Sequence, residues 1–270
     1  MFGLRPQAEP FHLVHYLAIE SCRRVLAPEQ IFLHYKRLPY GVYWDLIRPE
    51  LTLVEVDEAP EVLAVSYDED VVPERYRYAH HADFVRLQAL IDHGGVYADV
   101  DSLFLRPFPA DLFDEQFVIG AEDPVRDTRT GALRPSLCNA LMISEPGSLF
   151  ARTWLSRMGG ALDGTWSNHS GFLARAIADE LPDAVRVEPP KTFFPVSFSV
   201  AGLRALLEED GVVDLEGSLS LHLWAHLWWH PDRRDFSTMH AGLLTADYIA
   251  TVDTTYNRLA RPYLPNVELW

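Results

Sequence analysis

The acidic pair Asp99 and Asp101 is the part of the sequence best suited to chemistry. At a rise of about 3.3 Å per residue, residues two apart in a strand share a face and lie roughly 7 Å apart. Two such carboxylates can lean onto one hard cation, because hard cations take oxygen ligands. A bare Asp-x-Asp is common, however, and alone it favours acids that simply face water. The interpretation therefore depends on the elements around the pair.

A helix is predicted just before the pair, over residues 79–93. Its apolar stripe consists of Phe84, Leu87, Leu90 and Ile91. Asp83 falls inside the arc of this stripe and Arg86 lies at its edge. Because burying a bare carboxylate is unfavourable, Asp83 needs a hydrogen bond or a charged partner. An Asp83–Arg86 pair that only stabilises the helix explains these two residues as well as a functional role does.

Gly94 and Gly95 end this helix, since one of them takes the left-handed cap position that other residues resist. The next residues alternate between an apolar face and a polar face, and the polar face carries Tyr97, Asp99 and Asp101. The sequence therefore predicts a helix, a Gly-Gly stop and a short strand that ends in paired acids.

Short apolar runs alternate with helical patterns through the first half of the chain, which predicts an α/β layer structure. The predicted strands cover residues 11–18, 31–35, 51–56 and 137–144. The other predicted helices cover residues 21–26, 43–47, 149–158 and 173–180. The polar residues 122–135 contain Pro124, Gly131 and Pro135, so they are predicted to form a loop of functional length.

Charge and composition narrow the function classes. The chain has 270 residues, 48% of them hydrophobic, and a formal net charge of -16. Lys36 and Lys191 are its only lysines, so it lacks the basic face of a nucleic-acid or anionic-membrane binder. An anionic small substrate would need arginines or a bound cation to offset this field.

The sequence also bears on cell compartment. Cys22 and Cys138 cannot form a disulfide scaffold, although a single bridge stays open. Residues 1–20 lack the basic-then-apolar pattern of a secretory signal, and no apolar stretch is long enough for a transmembrane segment. We therefore expect a cytoplasmic protein.

The whole arrangement resembles a known family. Its elements are Asp83-x-x-Arg86, Gly94-Gly95-Val96-Tyr97 and Asp99-Val100-Asp101. This run resembles the DXD region of glycosyltransferase family 32, which includes mannosyltransferases, capsular-polysaccharide sugar transferases and clostridial glucosylating toxins.

The resemblance implies one GT-A-like (Rossmann-like) α/β domain over residues 1–270, with a mixed central sheet. It implies a retaining enzyme that uses a UDP- or GDP-sugar together with Mn²⁺ or Mg²⁺. The implied catalytic residues, which face the donor sugar, are Asp83 and Arg86. The implied donor-binding residues are Leu17 in the family's first strand, Tyr97, Asp99, Asn139 and Trp224, and the implied metal ligands are Asp99 and Asp101.

A second stretch, residues 222–228, resembles the family's His-His-Trp-Ala-Gly-Ser-Trp pattern. Leu227 stands where relatives have a serine that helps the metal site. Because Leu227 cannot bind a metal, His222 or His226 is the available substitute. The alternative is a core strand in which Trp228 only packs.

These residues predict a metal-dependent glycosyltransferase that acts on a glycan, lipid or small-molecule acceptor. A divalent cation on the acids would neutralise the departing diphosphate as a Lewis acid. It would also turn an acidic site into a receptor for an anion.

Two other functions stay open. A haloacid-dehalogenase-like phosphatase also uses an Asp-x-Asp motif, but it needs a downstream lysine, for which only Lys191 is available. A nonenzymatic carbohydrate-binding protein would explain the tryptophan-rich end but not the acidic pair.

Overall fold

The structure is a computed structural model that describes residues 9–65, 77–230 and 238–266. Its strands are β1 (Phe32–Tyr35), β2 (Thr52–Glu55), β3 (Gly95–Ala98), β4 (Ser102–Phe104), β5 (Phe117–Ala121), β6 (Val125–Arg126), β7 (Leu133–Arg134), β8 (Leu137–Ser144), β9 (Arg186–Glu188) and β10 (Ser220–His222). Its α-helices are α1 (Leu13–Val25), α2 (Val42–Ile47), α3 (Pro60–Leu63), α4 (Arg77–His93), α5 (Leu149–Ala161), α6 (Leu173–Glu180), α7 (Pro190–Phe193), α8 (Val200–Leu207), α9 (Ala246–Thr251) and α10 (Thr255–Ala260). Within these ranges, no helix combines the length and the apolar character that crossing a membrane requires.

Four strands form the central sheet in the order β3-β8-β5-β9. Strands β3 and β5 run antiparallel to β8, whereas β9 runs parallel to β5. Strand β8 is buried along almost its whole length, as expected for an apolar run covered on both faces of a sheet. The predicted α/β class with a mixed central sheet is confirmed.

Two apolar layers cover this sheet. Helices α4, α5 and α6 pack on the face that carries Phe117, Ile119 and Met142. Helices α1 and α8 pack on the opposite face, which carries Val118 and Ile143. Neighbouring residues of β5 point to opposite layers because side chains alternate along a strand.

Two smaller strand pairs complete the described sheets near the acidic pair. Strands β1 and β2 are parallel, whereas β4 and β10 are antiparallel. The register of β4 and β10 sets His222 opposite Ser102. This pairing brings the C-terminal histidine motif beside the acidic pair.

The strand predicted over residues 11–18 is wrong, because the structure has helix α1 there. The side chain of His12 caps the helix by accepting the N–H of Val14 at 3.2 Å. The apolar residues of α1 are buried around most of its circumference. A helix buried on most sides shows a continuous apolar run rather than a 3.6-residue period, so periodicity alone could not identify it.

The other predicted elements fit more closely. The helix predicted over residues 173–180 and the strand over 137–144 have the observed bounds. The helix over 79–93 is extended by two residues, and residues 21–26 form the end of α1. The predicted loop over residues 122–135 contains the short hairpin β6–β7.

Gly94 fixes the exit from α4 for two reasons. Its φ is +67°, in the left-handed region that favours glycine. In addition, a Cβ there would lie only 2.8 Å from the nitrogen of Pro146 and 2.9 Å from the carbonyl oxygen of Ser144. The chain can therefore turn directly from α4 into β3.

Candidate active site

The acidic pair lies in a turn rather than in the strand that the sequence predicts. Strand β3 ends at Ala98, and the N–H of Ser102 then donates to the carbonyl oxygen of Asp99 at 3.0 Å. The N–H of Asp99 donates to Ala140 of β8 at 2.8 Å. The turn reverses the chain into β4, so strand spacing does not set the separation of the carboxylates.

Asp99, Asp101 and His222 come together at this turn. One potential ligand atom from each lies within 4.8 Å of the other two. Nε2 of His222 is 3.2 Å from Oδ1 of Asp101 and 3.9 Å from Oδ2 of Asp99. Nδ1 of His222 is buried and has no hydrogen-bond partner among the residues that the structure describes. We call these three residues the acidic triad.

The electrostatics of the acidic triad depend on mutual pairing. Burial alone would raise the pKa of Asp101, but His222 and the N–H of Ala225, which donates to Oδ2 at 2.9 Å, hold it well below its usual range. Burial alone would lower the pKa of His222, but the carboxylates of Asp101 and Asp99 raise it. The imidazole is the positive partner of the acids in this state.

Arg86 forms a second centre of charge. Its guanidinium is buried, lies 3.3 Å from carboxylate oxygens of both Asp83 and Asp99, and donates to the carbonyl oxygen of Asn139 at 2.7 Å. It also lies 4.7 Å from the centre of the Tyr97 ring. Burial opposes the charge, but Asp99, Tyr97 and Asp83 outweigh it and raise the pKa of Arg86.

Asp83 is held by more than the predicted helix pair. Its Oδ1 accepts the side-chain amide of Asn139 at 2.8 Å, and its Oδ2 lies 2.8 Å from Nε2 of His169. Burial would raise the pKa of Asp83, but Arg86 and His169 lower it. We call Asp83, Arg86, Asn139 and His169 the arginine cluster. Its partners come from α4, β8 and the turn 168–172, so a pair that serves only the helix does not describe it.

Sequence reasoning missed His169. It lies in a wide π-helical turn, residues 168–172, where its ring meets the edge of His80 at 4.7 Å between centroids. Turns of this type recur at functional sites. His169 is 86 residues from Asp83 and belongs to no recognised motif, so only the folded chain relates the two.

Tyr97 links the two clusters. Its hydroxyl donates to Oδ1 of Asp99 at 2.6 Å. The same oxygen lies near Arg86. Asp99 is therefore shared between the acidic triad and the arginine cluster.

The C-terminal motif separates into different roles. Trp224 is buried, its ring lies 4.3 Å from that of His222, and its Nε1 donates to Val196 at 2.9 Å. His226 instead stacks on Trp166 at 4.8 Å and lies outside the acidic triad. Trp228 is fully buried and packs in the core, as its alternative interpretation expected.

The structure does not bring Leu17 to this site as a strand residue. Leu17 lies within α1 and its side chain is fully buried in the core. The expectation that it contacts a donor depended on a strand whose end is open. A fully buried leucine offers no surface to a ligand.

Known proteins show similarities to this chain. Residues 19–123 match the family described as a glycosyltransferase sugar-binding region containing a DXD motif. Glucan organizing enzyme 1 of Cryptococcus neoformans var. grubii serotype A is 31% identical over 273 residues, covering 98% of this chain and 69% of that protein. Among solved structures, the PaToxG glycosyltransferase has a TM-score of 0.42 and 15% identity, covering 64% of this chain and 66% of its own, slightly less than two thirds.

Proposed function

We propose a donor class and a cation for this chain, which belongs to the family of glycosyltransferases whose sugar-binding region contains a DXD motif. We propose that it transfers a sugar from a UDP- or GDP-sugar, with retention of anomeric configuration, to a hydroxyl of an acceptor. The observation that carries this proposal is the acidic triad.

The acidic triad fits a divalent cation. It offers two carboxylate oxygens and one imidazole nitrogen within 4.8 Å of one another, from Asp99, Asp101 and His222. Carboxylates suit Mg²⁺ and Mn²⁺, and the imidazole favours Mn²⁺ of the two because Mg²⁺ prefers an all-oxygen shell. When bound, the cation would supply Lewis-acid neutralisation of the diphosphate.

The arginine cluster would orient the donor sugar. Both oxygens of Asp83 already have protein partners, but a carboxylate has about four lone-pair sites and can accept a sugar hydroxyl as well. Arg86 fixes Asp83 and Asp99 relative to each other. In our proposal Tyr97 and Asn139 complete the donor contacts, and Trp224 borders the donor beside His222.

The proposal treats residues 1–270 as one GT-A-like domain, because helices on both faces of one mixed sheet supply the site. A cytoplasmic location stays a prediction.

Family membership decides against both alternative functions. The phosphatase mechanism requires a lysine beside the acids, whereas Lys191 pairs with Asp214. A nonenzymatic carbohydrate-binding protein would not require the acidic triad.

Hydrolysis of a panel of UDP- and GDP-sugars, with and without Mn²⁺, tests the proposal. We expect Mn²⁺-dependent release of sugar from at least one donor, and we expect ¹H NMR to show that the first-formed sugar keeps the donor's anomeric configuration. Cation-independent release, or an inverted first product, would contradict the metal and the stereochemistry respectively.

A further inference from the structure

A pocket of about 470 Å³ lies beside the candidate active site. Its walls come from the end of β5, from residues 190–198, from α8 and from residues 212–214, and Trp224 closes one side. The volume falls within the range of small-molecule sites. None of the roles proposed above, apart from that of Trp224, uses these walls.

The pocket reaches both clusters of the site. On one side, the ring of Trp224 is 4.3 Å from that of His222 of the acidic triad. On the other side, Glu122 lies against the turn 168–172, since a Cβ on Gly171 would be 3.3 Å from Oε1 of Glu122. That turn carries His169, the partner of Asp83. A molecule in the pocket would therefore approach the reaction centre from outside the arginine cluster.

Aromatic rings give the pocket apolar surfaces. Phe198 meets Trp224 edge-on at 5.4 Å between ring centroids, and Phe194 lies 6.0 Å from Trp224. The indole N–H of Trp224 is already used by Val196, so its ring presents carbon surface. Flat carbon surfaces of this kind bury the C–H face of a pyranose.

The charges of the pocket select against an anion. Glu122, Asp123 and Asp214 line it, and Lys191 is its only lining cation. Lys191 is paired with Asp214, which leaves Glu122 and Asp123 in excess. A second diphosphate would be repelled here, whereas neutral hydroxyls can donate to carboxylates.

Glu122 is the innermost of these acids. Its Oε1 accepts the hydroxyl of Ser136 at 2.6 Å. Burial raises the pKa of Glu122 to about 7, against the hydrogen bond from Ser136 that lowers it. A carboxyl group near half-protonation can both donate to and accept from a sugar hydroxyl.

We infer that this pocket binds the acceptor, a neutral saccharide, by stacking against Trp224 and Phe198 and by hydrogen bonds to Glu122 and Asp123. This inference rests on the proposed function and adds the acceptor class and its site. Glu122 is an acceptor-binding residue in this arrangement.

Saturation-transfer NMR on the full chain tests the inference, with maltotetraose, cellotetraose, laminaritetraose and mannotetraose as probes and tetragalacturonate as an anionic counterpart. Ala205→Trp fills the pocket from α8. Ala201→Trp, one helical turn earlier at an exposed position outside the pocket, is the matched control. Val212→Trp at the exposed rim is a second blocking variant that leaves the core untouched.

We expect at least one neutral tetrasaccharide to bind the wild type and Ala201→Trp, and to bind both blocking variants at least about tenfold more weakly. We expect tetragalacturonate to bind the wild type about tenfold more weakly than that neutral probe. Glu122→Gln should also weaken the neutral probe. Equal affinity in the blocked and control variants, preference for the anionic probe, or no binding of any neutral probe would overturn the inference.

A second measurement on the same proteins separates this inference from the proposed function. Calorimetry of UDP and GDP with Mn²⁺ should give similar affinities in the wild type and the blocked variants. Loss of nucleotide binding in both blocked variants would assign the pocket to the donor and overturn the inference. A wild type that binds neither nucleotide with Mn²⁺ would instead contradict the proposed function, while the saccharide titration still decides the pocket.

Discussion

Asp83 and Asp101 lie in the same site, but their charges are balanced in different ways. Asp83 pairs with Arg86, whose guanidinium keeps its charge at every accessible pH. Asp101 pairs with His222 and a backbone N–H, and an imidazole can lose its proton. The arginine cluster is therefore balanced without a ligand, whereas the acidic triad is balanced only while His222 is protonated.

This difference separates a scaffold from an exchangeable site. A buried acid beside a permanent cation gains little from another cation. An acid beside an imidazole can exchange a proton for a metal ion, because metal binding requires a neutral imidazole. The predictions below test this division, from the largest expected effect to the smallest.

Replacing Asp101 by Asn should have the largest effect, because it removes an anionic ligand while keeping the shape. The turnover of sugar transfer should fall roughly a thousandfold, and the affinities for Mn²⁺ and for nucleotide with Mn²⁺ should fall together. Calorimetric titration measures both affinities. Asp92→Asn, at an exposed position on α4, is the control, and equal metal-dependent affinity in the two variants would remove the acidic triad from the metal site.

Replacing Arg86 by Met should break the scaffold instead. Removing one partner of a buried ion pair leaves Asp83 and Asp99 uncompensated, so the free energy of unfolding should fall by about 3 kcal/mol. Urea denaturation measures this loss. The comparison variant is Arg204→Met, which breaks the exposed pair with Glu208 and should change the same free energy by less than about 1 kcal/mol. Similar losses in both variants would deny the arginine cluster its structural role.

Replacing His169 by Ala should remove one hydrogen bond to a charged acid and lower the free energy of unfolding by about 2 kcal/mol. Because Asp83 would then be less firmly held, kcat should fall while the Kd of nucleotide with Mn²⁺ stays unchanged. His169→Gln retains a donor and should recover part of kcat. Weaker nucleotide binding, or no recovery with Gln, would mean that His169 does not act by positioning Asp83.

Replacing His222 by Ala should weaken Mn²⁺ binding about tenfold, the smaller loss expected for one ligand of several. His226→Ala is the matched control, since His226 lies outside the acidic triad. Competition between Mn²⁺ and a fluorescent chelator measures the affinity. A larger effect at His226 would reverse the assignment of the third ligand.

The metal-free protein should show the smallest effect, in its pH dependence. The pKa of His222 is raised above its ordinary value of 6.5, so the folded state holds this proton more tightly than the unfolded state. Its stabilisation is present below that ordinary value and is lost as pH rises through the raised pKa. His222→Gln should flatten the fall in unfolding free energy over this window. An unchanged slope would show that His222 does not balance the acids.

The sequence predicted elements whose signals are local. Helix α4 has a clear stripe and a glycine stop, and β8 is a continuous apolar run between turns. Helix α1 was missed because burial around most of its circumference erased its period. The turn that contains Asp99 depends on a hydrogen bond to Ala140 of another strand, which no local pattern reports.

The candidate site divides in the same way. Asp83, Arg86 and Asp101 lie in one fixed motif, so residue type and spacing sufficed to find them. His222 required a choice between two histidines, which the register of β4 and β10 makes in the structure. His169 and Glu122 come from distant segments and meet the site only because the chain folds, so sequence spacing could not identify their contacts.

The backbone at Trp224 restricts how this position can evolve. Its φ of +52° and ψ of +40° are left-handed, which costs a residue with a Cβ about 1–2 kcal/mol. Glycine would relieve that cost but leave the space beside Val196 and Phe198 empty, whereas another large residue would keep the cost and lose the indole hydrogen bond. No single substitution meets both demands. Related sequences should therefore either keep tryptophan here or change the loop 222–228 and residues 194–198 together.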